Sequence, residues 1–273
     1  MVLEHIFPES WLEQKGRYAF VLGVTYSVIG ILLASLLFPR DPALVAVAFT
    51  SLLLLPSMYK IFTIEERQER RLKMKRGFSF KSMWHAEHDV VRVYVLLFVG
   101  ILLVYSVSAM VLPSFQTNNL FREQIEIRYG EGFSGRAFDN GILIDNNGAT
   151  GAFVSNVQDA IASPTFKSLL KNNFLVLVAC FVVALLAGDG AIFLIAWNAS
   201  VWGTLFGLTA RNASLASGES ALLLFGLIIL IVLPHVILES LSYIMAAIAG
   251  AVVSKGIVVE GFLTKKFNEV FNF

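Results

Sequence analysis

Long uninterrupted apolar runs dominate this 273-residue chain, in place of the short alternation that a soluble domain shows. A helix needs roughly 20 apolar residues to cross a bilayer core. The first such run extends from about Tyr18 to Phe38, and Pro39, Arg40, Asp41 and Pro42 then turn the chain. The second extends from about Ala43 to Phe62, with Pro56 placed to kink its far end. A third extends from Val90 to Leu112. The fourth opens at "ASPTF", where Ser163 can cap the free amides and Pro164 suits the first helical position, and it ends near Ala187. Gly188, Asp189 and Gly190 read as a tight turn, the fifth run spans Ala191 to about Leu208, and "TARNASLASGES" reads as the loop beyond it.

The last apolar tract, Ala221 to Val259, is too long for one straight crossing: as a single helix it would measure about 58 Å at about 1.5 Å per residue. Pro234 divides it. The piece before the proline is about 20 Å long and suits a re-entrant or half-helix; the piece from His235 to about Ile257 is long enough to cross. The expected architecture is therefore an all-α polytopic membrane protein. It has six transmembrane helices, a helix break at Pro234, and a small extracytoplasmic cap from Pro113 to Lys171.

Composition and charge support this and give it an orientation. The chain is 56% hydrophobic and 15% charged, where a soluble domain carries about 25% charged residues. Net charge is +1, so global charge says nothing about nucleic acid or an acidic substrate, and no nucleic-acid partner is expected. The single cysteine, Cys180, excludes an intrachain disulfide and a thiolate cluster. Eight Lys or Arg fall between Lys60 and Asp89, so the positive-inside rule puts that loop in the cytoplasm. Both termini are then expected in the cytoplasm and residues 113–171 outside. Arg70, Arg71, Lys73, Lys75 and Arg76 either fix this topology or also hold anionic lipid headgroups. In organisation, residues 1–112 form an N-terminal membrane region, 113–171 the cap, with one or two short helices, and 172–273 a C-terminal membrane region.

Candidate chemistry is sparse. His235 and Glu239 are four residues apart and share one helix face with Ser242, Ala246 and Gly250. Ionisable groups are costly in lipid and face a bundle interior or a wet cavity. A helix starting at Pro234 would put His235 at its positive end, favouring an ionised Glu239 and a neutral His235. "WHAEHD" places His85 and His88 beside Glu87 and Asp89, which reads as a solvated helix start or a divalent-ion site. Gly203 and Gly207, and the stripe Gly23, Ser27, Gly30 and Ala34, suit close helix packing within the protomer or between protomers.

Three stretches carry a resemblance: "LLKNNFLVLVACFVVALLAGDGAIFLIAWNASVWGTLFGL", "LPHVILE" and "AAIAGAVVSKG". Together they resemble the stage II sporulation protein M family of integral membrane proteins. The positions are Asn172 and Asn173, Gly188, Asn198, Gly203, Pro234, His235, Glu239, Ala249 and Gly250. Val236 and Ala199 stand where that family usually has glycine. The resemblance covers about a third of the chain and implies a non-enzymatic membrane scaffold that recruits envelope or membrane-remodelling partners, without a cofactor.

Three readings of the polar residues remain open on sequence. In the first, Asn172, Asn173, Asn198, His235, Glu239 and Ser242 bond one another and glue the bundle. In the second, they line the path of an ion or small solute, making the protein a channel or secondary transporter. A metal-dependent hydrolase is the third, and a zinc site would need three or four convergent ligands. A homo-oligomer in the lipid bilayer, with unidentified membrane or envelope proteins as partners, is the expected assembly.

Overall fold

The computed structural model describes residues 17–76, 80–129 and 164–260, and every element in them is helical. In chain order they are α1 (Arg17–Leu37), α2 (Pro42–Arg76), α3 (Phe80–Val111), α4 (Ser114–Leu120), α5 (Arg122–Tyr129), α6 (Pro164–Ala187), α7 (Ile192–Ser217) and α8 (Ala221–Glu260). A 3₁₀ turn, Gly188–Ala191, joins α6 to α7. Among the described residues six helices are long and apolar enough to span a membrane, and this is a multi-pass membrane protein.

The bundle has an inner and an outer part. α1 packs on α2 and α3, and α3 packs along α7. Small residues let these backbones close up, which is how helices associate when lipid offers no hydrophobic penalty. A Cβ on Gly23 would lie 2.7 Å from the Leu97 carbonyl oxygen, and one on Gly100 would lie 2.6 Å from that of Phe20. Cβ atoms on Gly203 and Gly207 would strike the Leu102 and Ser106 carbonyls. The two glycines and the stripe on α1 are thus used within the protomer. Outside this core α8 lies along α7, and α6 lies against α8 while barely touching α7.

Three expectations are corrected. α8 is one continuous helix with Pro234 inside it, and its apolar span runs from Ala221 to Ser254. Proline removes one amide and leaves the Leu230 carbonyl without its usual partner. The helix continues past it, with α7 and α6 packed along other parts of its length, as membrane bundles allow. Neither a half-helix nor a helix N-terminus exists at His235, so no terminal dipole acts on the pair. Second, "TARNASLAS" is not a loop: α7 runs through it to Ser217, and Gly218, at φ 76°, ends the helix by donating to Ser214 O at 2.8 Å. Third, α2 reaches Arg76 and α3 starts at Phe80, so most of the basic segment is helical. α2 likewise passes through Pro56 without ending. The side chains of Arg70, Arg71, Lys73, Lys75, Arg76, His85 and His88 lie outside the described residues.

The segment expected to cap the bundle from outside begins by entering it. Arg211 of α7 donates from Nη1 to the carbonyls of Leu112 (2.9 Å) and Ala109 (3.3 Å), closing the end of α3, and to Thr117 Oγ1 (3.4 Å). Beyond Thr117, Phe121 is fully buried with its ring 5.3 Å from that of Tyr105, and Gln124 Nε2 donates to Ser200 Oγ at 3.3 Å. Ser200 lies about 16 Å from Arg211 along α7, at about 1.5 Å per residue. α4 and α5 therefore re-enter the bundle, wedged beside α2 and α7. The re-entrant element is here and not before Pro234. The expected helix start at Pro164 is observed, while residues 130–163 lie outside the described residues.

Candidate functional site

The strongest concentration of polar chemistry in the spans is centred on Glu239. Helical spacing puts His235, Glu239 and Tyr243 in successive turns of α8, and the α7 packing brings Trp202 alongside. His235 Nε2 lies 3.0 Å from Glu239 Oε2. Trp202 Nε1 donates to Glu239 Oε1 at 3.3 Å, and the Tyr243 hydroxyl donates to the same oxygen at 3.2 Å. The His235 ring meets Trp202 edge-on, with centroids 5.6 Å apart. Both carboxylate oxygens thus act as acceptors, which is how a buried carboxylate is held.

Depth and exposure make this arrangement unusual. The apolar span of α8 runs from Ala221 to Ser254, so the pair sits close to its midpoint, and Trp202 is within one turn of the midpoint of its own span. The Glu239 side chain is 9% exposed, but that of His235 is 51% exposed. The exposed side of His235 opens on a groove of about 270 Å³ between α6 and α8, formed by Leu170, Asn173, Phe174 and Leu177 of α6 and by His235, Leu238, Glu239, Ser242 and Tyr243 of α8. Toward the ends of the two helices the groove closes. There a Cβ on Gly250 would strike the Phe181 carbonyl, and Cys180, Tyr243 and Ala246 pack together. The small face of α8 is therefore split: its far half is a tight helix contact and its near half a lateral opening.

The sequence-derived cluster is only partly assembled. Asn173 lines the groove, and its Oδ1 is buried without a hydrogen-bond partner among the described residues. Ser242 lines it too, while its hydroxyl donates to Leu238 O at 2.7 Å. Asn198 does not join: its Nδ2 donates to Leu194 O at 2.8 Å, within its own helix. Asn172 is half-buried and makes no bond to the pair. The residues that sequence reasoning passed over are Trp202 and Tyr243. Tyr243 carried a legible signal, four residues beyond Glu239 on the same face; Trp202 depends on how α7 docks, which no local pattern encodes.

A second polar layer lies within the inner bundle. The hydroxyls of Thr50, Ser51 and Ser106 each donate to the carbonyl four residues earlier, at 2.8 Å, which satisfies them locally. Ser27 Oγ, Thr204 Oγ1 and the second amide atom of Gln124, Oε1, are buried without a partner among the described residues. No three His, Cys, Asp or Glu side chains come together among the described residues. Comparison with protein-family models, with curated proteins and with solved structures finds no match for this chain.

Proposed function

We propose that this protein is a non-enzymatic integral membrane scaffold that receives a partner in the plane of the bilayer, at the groove between α6 and α8. The observation that carries this reading is the half-exposed His235 beside a nearly buried Glu239, midway along an otherwise apolar span. Magnitudes decide against internal glue as a sufficient reason for the pair. Hydrogen bonds between membrane helices are worth about 0.6 kcal/mol on average. A charged side chain at a helix centre costs about 2.5–3.5 kcal/mol on insertion scales. Three such bonds return less than that cost, and His235 would still present half its surface to lipid. Cover by protein removes the mismatch.

This is the kind of role that the resemblance to the stage II sporulation protein M family implies, with envelope or membrane-remodelling proteins as the recruited partners. The runner-up, an ion or solute path past His235 and Glu239, has less in its favour because the groove closes where Gly250 meets α6. Two assays separate the readings. In reconstituted liposomes, ion flux should be absent or unaffected by Glu239→Gln; flux abolished by that change would establish the transport reading instead. Partner capture from native membranes should be lost when Leu170→Trp fills the groove from its exposed α6 rim. Capture that persists unchanged would count against recruitment at the groove.

A further inference from the structure

Two exposed strips run along α8, and they differ in kind. One carries Leu222, Leu223, Leu230, Leu233 and Ile237, the large aliphatic surface that suits lipid. The other repeats every seven residues. Ile231, Leu238, Met245 and Val252 are exposed at one set of positions, and His235, Ser242 and Ala249, also exposed, stand four residues after the first three. This is a heptad seam with large apolar residues at d and small or polar ones at a, the knobs and holes of a left-handed helix pair. From Ile231 to Val252 it measures about 32 Å at about 1.5 Å per residue.

We infer that the seam pairs with the same seam of a second copy of this chain, in parallel, about a two-fold axis along the membrane normal. This deepens the scaffold reading and rests on it. Copies inserted in one orientation can be related only by such an axis, so each residue meets its counterpart at equal depth. A polar side chain at mid-membrane is then certain to meet a polar side chain. His235 occupies an a position, where the seam brings like against like, and Glu239 flanks it at e. His235 uses Nε2–H on its own Glu239, and no described residue meets its Nδ1. Two neutral rings would face each other with acceptor nitrogens alone, so the self-complementary pairing is between imidazolium rings: the Nδ1–H of each copy donates to the Glu239 carboxylate of the other. One polar a layer between apolar d layers also fixes register, since a shift by one heptad would set His235 against Ser242. A lipid headgroup does not reach this depth, and an acyl chain would leave the imidazole unmet.

Cysteine cross-linking in native membranes tests this on the full chain. The native Cys180, buried between α6 and α8, serves as the internal control and should yield no dimer. Leu238→Cys, Ser242→Cys and Met245→Cys should each give a covalent homodimer on oxidation, while Leu230→Cys, exposed on the other strip, should stay monomeric. Monodisperse detergent-solubilised protein identifies the variants that fold, and three seam positions guard against the failure of one. Monomers at all three, dimers at Leu230→Cys as readily as on the seam, or adducts with the mass of a different protein would each overturn the seam. Failure here leaves the capture experiment with Leu170→Trp, on α6 and off the seam, untouched, so the two readings fall separately.

Discussion

α7 and α8 are neighbours, yet they invert the relation between apolarity and burial found in soluble proteins. α8 has the highest mean hydropathy of the six spans, 2.9, and only 17% of its window is buried; α7 has the lowest, 1.4, and 67% is buried. In water the most apolar helix would be innermost. In a bilayer, lipid accepts Leu and Ile without cost, so what needs shelter is the polar surface. α7 accordingly carries Ser200 and Thr204 into the interior, with Ala199, Gly203 and Gly207 as its close-packing face, while Asn198 and Arg211 are half-buried. α8 fills its exposed face with aliphatics and departs from that rule at Gly226, Pro234, His235, Ser242 and Ala249. Those departures are informative because the rest of the face conforms.

The largest test of this contrast compares two glycines. A side chain at Gly203 would run into the Leu102 carbonyl and the Tyr105 Cβ, whereas one at Gly226 on α8 would meet nothing within 4 Å. Gly203→Leu must separate α3 from α7. It should cost more than the roughly 1–3 kcal/mol usual for overpacking, because backbone as well as side chains must move. The expected readout is loss of monodisperse protein in detergent. Gly226→Leu should be neutral or mildly stabilising, by up to about 1 kcal/mol, through helix propensity. Equal behaviour of the two variants would dissolve the distinction between inner and outer helices.

Arg211 comes next. Its guanidinium holds the end of α3 and the start of α4 through Ala109, Leu112, Thr117 and Ser114. Bonds to charged groups contribute about 1.5–3 kcal/mol. Arg211→Ala should therefore lower stability by about 2–3 kcal/mol, with faster proteolysis in the segment after Pro113. Arg211→Lys should rescue little, since an ammonium cannot reproduce the planar fork. Full rescue by lysine would mean that charge alone, without geometry, holds α4.

A smaller effect is expected at the outer pair. Glu239→Gln keeps the size of the side chain but offers one acceptor oxygen where two served three donors. Membrane double-mutant cycles place single bonds at about 0.6 kcal/mol, with maxima near 1.7. A loss of about 1 kcal/mol is expected, together with a shift in the emission of the Trp202 indole. A stability loss as large as that of Arg211→Ala would show that the pair is a structural keystone, and would remove the reason to look for a partner.

The sequence made the spans legible because each is a composition signal integrated over about 20 residues, and such signals survive local irregularity. The turn at Gly188 and the start at Pro164 were legible because φ > 0 and a missing amide are local constraints. Pro234 misled for the same reason: a proline states what one amide cannot do, not whether the helix continues past it. The "TARNASLAS" segment misled because Arg, Asn and Ser resemble a loop until Arg211 is seen satisfying the carbonyls of α3. His235 and Glu239 were found because an ionisable pair in an apolar tract is conspicuous by itself. The re-entry of α4 and α5 was hidden, since a single buried Gln124 in a polar segment has no periodic signature.

The smallest predicted effect bears on the outer strip itself. Leu230 is 68% exposed on the face of α8 assigned to lipid, while Leu97 of α3 is 1% exposed between α1 and its neighbours. Leu97→Ala should open a cavity and cost about 2–5 kcal/mol, as large-to-small core changes do. Leu230→Ala exchanges lipid contact in the folded state for the same contact in an unfolded but inserted helix, so the transfer term cancels and a change within about 0.5 kcal/mol is expected. The comparison is sharper on the seam. Leu238 is as exposed as Leu230 in the single chain, at 70%. If Leu238 faced only lipid, Leu238→Ala would be equally silent; if it packs in a d layer against a second copy, the same change lowers the dimer fraction in detergent while leaving the monomer's unfolding unchanged. Dimer fraction measured against protein concentration for the two variants therefore separates a lipid-facing leucine from one that is exposed only until its partner arrives.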